Sequence, residues 1–330
     1  MTSKKGALFL CLMLLLTMIL IPLVSLGGGS PAGGSGGNGS SKDIGPPPSA
    51  SDRQFRIRDT ATGKILIVAD ADFVRGTVAC EMSPDAPPEA LKAQAVAAYT
   101  YYSRIREMKR KQGGSSDFDA TPSNWNIYVN DDEMKKRWGS SYQKYSDALK
   151  AASNAVTGQV LDYSGSLIDA TYFATSGGST EDAADVWGSK CPYLISVASP
   201  WDAYAGGYQT TAAFSDDDFR SRIQKVMQGA NFSGDAGGWV GSADRSSAGT
   251  VKTVSIGGKA VTGSQVRQAF DLRSADFTIA HADGKFTFTV KGYGHGVGMS
   301  QTGAEGMAKQ GAGYKEILAW YYPGTKIASL

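Results

Sequence analysis

Two histidines and three cysteines are the whole supply of nitrogen and sulfur metal ligands in this 330-residue chain, and neither type recurs at the paired spacing of a structural zinc site. No metal and no cofactor is therefore expected. A disulfide-built scaffold is excluded too. Cys11 sits inside an apolar leader, which leaves only Cys80 and Cys191 to pair, and isolated cysteines in a chain of this size act mainly as small buried hydrophobes. Charge of one sign is also missing: Lys+Arg of 33 against Asp+Glu of 31 leaves a formal +2, which gives no electrostatic footprint for a nucleic-acid duplex. A neutral or weakly polar substrate fits better.

What the chain does have is a lopsided aromatic set, 15 Tyr and 6 Trp, residues whose flat faces stack on sugars while their polar tips hydrogen-bond. It also has an apolar leader. After Lys4 and Lys5 the run from Ala7 to Leu26 carries no charge, about the 20 residues a bilayer-spanning helix needs. Ser25 and Gly27 make a poor cleavage site, and a secretory signal core is shorter, so residues 1–26 read as an uncleaved anchor rather than a cleaved signal. The two lysines hold its start inside, which places the rest of the chain on the external side of the membrane. Residues 27–52, rich in Gly, Ser and Pro, cannot offset the entropy of ordering their backbone and read as a flexible tether with a reach of about 25 Å.

Residues 53–330 read as one elaborated domain. Phe55 and Ile57, a turn at Thr60–Lys64, and Ile65–Val68 predict a hairpin. Asp72–Glu81 has helical spacing and delivers Glu81 at its end. After Pro84, Pro87 and Pro88, a long helix follows with Leu91, Ala95, Ala98, Tyr102, Ile105 and Met108 on one face. Pro88 suits its first turn, and Arg106, Lys109, Arg110 and Lys111 match its C-terminal dipole as a solvated end. Strand-like and helical runs do not alternate regularly, so the class is α+β, mixed hairpins and helices. Gly206–Ala260 has little periodicity outside Asp216–Met227 and is left unassigned.

Glu81 is the residue of interest. Thr77, Val78, Ala79 and Cys80 precede it and a proline-rich turn follows, a setting that disfavours its charged form. A carboxyl so held can act as a general acid near neutral pH. The competing reading is a helix-end carboxylate making a cap or a surface ion pair. No second carboxylate of comparable setting accompanies it, as an ordinary glycosidase would need; Asp85, Glu89 and Asp202 are the nearest candidates.

Two other segments carry chemistry. Thr175-Ser176-Gly177-Gly178-Ser179-Thr180 is a polar turn whose hydroxyls and backbone donors suit sugar hydroxyls or N-acetyl groups, or simply form a turn. Gly292–Gly298 has glycine at every second position around His295, which permits close approach or positive φ. Thr302 and Glu305 then form a capping-box pattern. The glycine pattern is superficially like a dinucleotide fingerprint, but no strand-helix-strand unit follows. A Cys80–His295 nucleophile pair is disfavoured by the carboxylate beside the thiol.

The string Val78-Ala79-Cys80-Glu81-Met82, with Pro88-Glu89-Ala90-Leu91-Lys92-Ala93-Gln94-Ala95-Val96-Ala97-Ala98, resembles the signature of the sporulation stage II protein D family, which includes the amidase-enhancer domains called LytB. Tyr172–Thr180, Trp187, Cys191–Leu194 and Ser199–Asp202 agree with it, as do Gly292–Gln301 and Tyr321–Thr325. The resemblance spans about Phe55 to Ile327. It implies a lytic transglycosylase of peptidoglycan with Glu81 as catalytic acid, and points to Lys92, Gln94, Ser176, Gly177, Thr180, Asp202, His295, Ser300 and Gln301 as glycan-contacting residues. It further implies a single-pass protein of the mother-cell engulfing membrane, acting on glycan strands in forespore engulfment beside stage II sporulation proteins P, an amidase, and M, a membrane scaffold. The alternative within the family is a non-catalytic, glycan-binding amidase enhancer. One departure stands out: Tyr99 occupies a position where many relatives have Arg.

Overall fold

The computed structural model describes residues 53–330; the expected anchor (1–26) and tether (27–52) lie outside them. Among the described residues no helix is long and apolar enough to cross a membrane. The class is α+β: small sheets and helices share two hydrophobic cores.

The predicted hairpin forms from β1 (Gln54–Arg58) and β2 (Ile65–Ala69), paired antiparallel with Phe55 opposite Val68. Its turn is pinned by Asp59, whose carboxylate accepts from the Ala61 amide and the Thr62 hydroxyl, an Asx-type turn. The chain then enters α1 (Asp70–Glu81), two residues earlier than its periodicity predicts, and α2 (Pro88–Lys111), with Pro88 in the first turn. The helix α2 is the axis of the main core. Ala90, Ala93 and Ala95–Ala98 have no exposed surface, so the helix is buried nearly all round rather than on a single face. Its small side chains admit α1, α4 (Tyr142–Ala155, after the short α3, Asp131–Trp138), α8 (Gln301–Lys309) and α9 (Tyr314–Tyr321) as direct neighbours. The strand β4 (Gln159–Tyr163) docks on it through Thr100, whose hydroxyl donates to the Val96 carbonyl and accepts from the Leu161 amide.

The basic end of α2 departs from the solvated face expected of it. Arg106 is buried and pairs with Asp70 at 2.8 Å, and Arg110 reaches the fully buried Asp117 at 3.1 Å. Two of the four cations thus hold the hairpin and the start of α1 against α2, and only Lys109 and Lys111 keep to the periphery. Tyr99 belongs to the same cluster, donating its phenolic hydrogen to Asp70. Both remaining cysteines are free thiols.

The unassigned region, together with residues 261–291, folds around the second core. The strands β7 (Gln209–Ser215), β11 (Phe277–Ala282) and β12 (Lys285–Lys291) form one antiparallel sheet in the order 11-12-7. A second sheet holds β8 (Val240–Arg245), β9 (Val251–Ile256) and β10 (Lys259–Thr262). Two helices, α6 (Asp216–Val226) and α7 (Gly263–Ala269), complete the unit. Phe219, Phe270, Phe286 and Phe288 pack as a ring cluster at its centre, worth a few kcal/mol beyond their area burial. Periodicity missed this region because its strands are half-exposed and its turns are glycine-rich.

Candidate active site

Four elements converge on Glu81. The helix α1 carries it at its last position; α2 contributes Gln94 and Tyr102; the short strand β6 (Tyr172–Phe173) contributes Tyr172; and α8 contributes Gln301 at its first residue. The Gln301 side-chain amide donates to the Glu81 Oε2 and to the Gln94 Oε1, each at 3.4 Å. Tyr172 has a buried hydroxyl with no hydrogen-bond partner among the described residues, and this phenol lies beside the carboxyl. No cation stands within ion-pair range of Glu81 among the described residues, which removes the surface ion pair as an account of it. The helix end is closed instead by the Met82 amide on the Val78 carbonyl.

Loss of hydration raises the Glu81 pKa from its ordinary 4.5 to about 7, against the opposing pull of Gln301 and Tyr172. Burial therefore outweighs two polar neighbours. The residue as a whole is nevertheless only partly buried. An acid that is half-protonated near neutrality, in a residue open in part to solvent, meets the condition for proton donation.

The glycine loop holds His295 next to this cluster, and its glycines answer to geometry. Gly296 and Gly298 both sit at φ +85°. A Cβ at Gly298 would stand 2.0 Å from the Thr171 carbonyl oxygen, and one at Gly296 would stand 2.7 Å from the Glu181 Cγ. The close approach is to the protein's own chain: β13 (Met299–Ser300) runs parallel to β6, and bridges join Thr175 to Tyr293 and Glu181 to Val297. The His295 Nδ1 accepts from the Val297 amide at 3.1 Å, so the Nε2 carries the hydrogen and donates it to the Tyr172 carbonyl at 3.1 Å. The ring lies between Phe173 and Trp187. Burial, reinforced by the positive charge of Arg267, lowers its pKa to about 3. His295 is thus a neutral imidazole that fixes the backbone of Tyr172, and through it one neighbour of Glu81.

The other predicted residues divide by direction. Gln94 and Gln301 join Glu81. Ser300 caps α8, in place of the expected Thr302, by accepting from the Gly303 amide at 3.2 Å. It also donates to the Asp202 Oδ1 at 2.7 Å, while Ser176 donates to the Oδ2 at 2.6 Å. Asp202 is fully buried, and burial raises its pKa despite these donors. It therefore clamps the 176–178 turn onto the start of α8 from behind, with no oxygen left for a ligand. Thr180 is likewise fully buried and spends its hydroxyl on the Ile195 carbonyl and the Val197 amide. Lys92 is not brought to Glu81: it pairs with Glu89 at 2.6 Å beside Tyr314. Ser176 and Gly177, with His295, line a cavity of about 480 Å³ between the two cores. Sequence reasoning overlooked Tyr102, Tyr172 and Glu181. Glu181 lines that cavity, is almost wholly buried and has one oxygen without a hydrogen-bond partner among the described residues. Only the place of Tyr172 at the start of a matching block hinted at one of the three. Among the described residues no cluster of metal-ligating side chains occurs.

Comparison with known proteins identifies the family of the chain. Residues 58–163 match the family profile described as Stage II sporulation protein. The chain is 39% identical over 263 residues to stage II sporulation protein D of Bacillus amyloliquefaciens, covering 78% of this chain and 73% of that one. The chain belongs to the stage II sporulation protein D family. The Bacillus subtilis (strain 168) stage II sporulation protein D is 35% identical over 273 residues, with 82% of this chain and 77% of that one aligned. An amidase enhancer of the same organism is 30% identical over 305 residues, spanning 78% of this chain and 40% of its own length.

Proposed function

We propose that this sporulation-family protein is a lytic transglycosylase that cleaves the bond between N-acetylmuramic acid and N-acetylglucosamine in peptidoglycan glycan strands. The observation that carries the reading is the Glu81 carboxyl, its pKa raised to about 7 by burial, in a residue that is only partly buried as a whole and lacks a cation partner among the described residues. A lone carboxyl is enough for this reaction, because the C6 hydroxyl of muramic acid replaces water as the attacking group. Protonated Glu81 donates to the leaving glycosidic oxygen. The resulting carboxylate then accepts the C6 hydroxyl proton as the oxygen closes on C1, giving the 1,6-anhydro ring and restoring the acid. Gln301 and Tyr172 offer hydrogen bonds to the anion formed midway, and neutral His295 holds Tyr172 in place. In this reading the protein is anchored by residues 1–26, faces the wall from the engulfing membrane, and works beside an amidase and a membrane scaffold.

The test is incubation of the full chain in mild detergent with stem-peptide-free glycan strands, followed by mass spectrometry. Strands ending in 1,6-anhydromuramoyl residues are expected, with Glu81→Gln slower by about 10²- to 10⁴-fold. Absence of those ends, or their persistence in the variant, defeats the proposal.

The identity with an amidase enhancer supports a second reading, a glycan-binding protein that stimulates an amidase without cutting glycan itself. The two separate on one measurement. If Glu81→Gln binds cell walls as wild type does but yields no anhydro ends, the enzyme reading stands; if wild type also yields none while an amidase is accelerated, the enhancer reading takes its place.

A further inference from the structure

The cavity between the two cores has one wall from the main body, with the Ser176–Gly177 turn, Trp187 and His295, and another from the second unit, with Arg267 on α7. Arg267 is partly buried, and its lost hydration pulls the guanidinium below its ordinary pKa. It donates through Nε to the Leu272 carbonyl at 3.2 Å. Among the described residues no carboxylate lies in ion-pair range of it, and no hydrogen bond engages its two terminal nitrogens. Its charge is felt across the cavity at His295, whose protonation it opposes.

The acids on the same walls are engaged elsewhere. Asp185 holds Lys252 at 2.8 Å, Asp276 faces Arg245 at 3.8 Å and Lys291, and Asp271 is 3.9 Å from Arg222. Glu181 accepts from Ser246 at 3.0 Å, and burial favours its neutral form. Arg267 is thus the one lining cation with no acidic counterpart among the described residues. A partly desolvated cation without a counter-ion is unfavourable, and such departures from internal pairing concentrate where a ligand completes the arrangement.

We propose that Arg267 recognises the carboxylate on the lactyl ether of muramic acid, which makes it the residue that selects glycan strands already stripped of stem peptide. The proposal rests on the glycan-strand reading above. The lactyl carboxyl is an anion only after the amide to the stem peptide has been cut; before that it is neutral and carries a bulky chain. Two free terminal nitrogens match a carboxylate in bidentate fashion, which a neutral amide cannot reproduce. The surroundings suit a sugar, with Trp187 and Ser264 on the lining. The cavity and the acid share the strand β6: the His295 on the cavity wall is bonded to the Tyr172 carbonyl, and the Tyr172 phenol lies beside Glu81.

The experiment measures binding without turnover. Full chain carrying Glu81→Gln is titrated, in mild detergent, with fluorescent peptide-free glycan strands and with the same strands after their lactyl carboxyls are converted to primary amides. The acid strands are expected to bind about 10- to 100-fold more tightly than the amide strands, as fits a charge-assisted hydrogen-bonded pair. Adding Arg267→Gln should bring that ratio close to one, and Arg267→Lys should keep part of it. Equal binding of both strands with Arg267 intact, a comparison that involves no change at that position, overturns the proposal. So does a ratio that survives Arg267→Gln. Loss of 1,6-anhydro products in the cleavage assay would count against the transglycosylase reading while leaving this ratio untouched.

Discussion

Replacing Glu81 by glutamine is expected to stabilise the protein at alkaline pH and to leave its stability unchanged in acid. The carboxyl has its ordinary value of 4.5 in the unfolded chain and about 7 in the folded one. Between these values the folded chain retains a proton that the unfolded chain has lost, so stability falls as pH rises through the window. At 1.36 kcal/mol per pH unit, ionising the folded carboxyl above pH 7 costs about 3 kcal/mol, and the partial exposure of the residue reduces this to about 2–3 kcal/mol. Glutamine keeps the shape and an acceptor for Gln301, and cannot ionise. Urea unfolding of wild type and Glu81→Gln, followed by tryptophan fluorescence at half-unit steps from about pH 4 to 9, gives the difference directly. Other groups raised by burial, such as Asp202, Glu181 and Asp276, are common to both proteins and cancel. The difference should be near zero below pH 4.5, grow through neutrality and level off above pH 8. A flat difference, or a variant less stable than wild type at pH 8, would refute the claim that burial holds this carboxyl protonated. The same titration should end glycan cleavage on the alkaline side, since the donor form is lost above about pH 7.

Tyr99→Phe removes the donor to the Asp70–Arg106 pair, which should cost about 1.5–3 kcal/mol in unfolding experiments; kcat on glycan should not change, because Asp70 and Glu81 stand at opposite ends of α1, about 16 Å apart. Gly298→Ala and Gly165→Ala share nearly the same positive φ, 85° and 84°, but a Cβ at 298 meets the Thr171 carbonyl oxygen at 2.0 Å whereas one at 165 meets nothing within 4 Å. Thermal melts should therefore show about 1 kcal/mol of loss at 165 and at least about 3 kcal/mol at 298. Nitrogen-15 NMR of His295 should show a neutral ring with its hydrogen on Nε2 from about pH 5 to 8. With a folded pKa of about 3 against an ordinary 6.5, this histidine takes stability away as pH falls through that interval, and a protonated ring at pH 6 would contradict the geometry.

The parts of the fold legible in the sequence are those whose signal is local. The hairpin turn at Thr60–Lys64, Pro88 in the first turn of α2 and the end of α1 at Glu81 are set by neighbours within a few residues, and they stand where the pattern put them. The basic end of α2 was misjudged because a helix dipole and a buried carboxylate attract the same side chains. The sequence cannot say that Asp70 and Asp117 lie within reach until the hairpin has folded back. The second core was invisible for a related reason. Its Phe219, Phe270, Phe286 and Phe288 are spread along the chain over separate elements, and no local pattern says that they meet.

The candidate site divides along the same line. Glu81 stood out because the apolar run before it and the prolines after it are adjacent in sequence, so their desolvating effect could be anticipated. The residues that set how that carboxyl behaves, Tyr172 and Gln301, arrive from 91 and 220 positions further along the chain. Their arrival depends on a glycine loop whose function is to let three backbones approach closely. That explains why glycine at 296 and 298 reads as a ligand-binding signal from sequence and as an internal splice in the structure: both demand the same freedom from a Cβ, and only the identity of the atom 2–3 Å away distinguishes them. The loop thus acts on chemistry indirectly, by fixing where Tyr172 and His295 stand relative to one carboxyl. Enlarging either glycine should impair the acid without touching it.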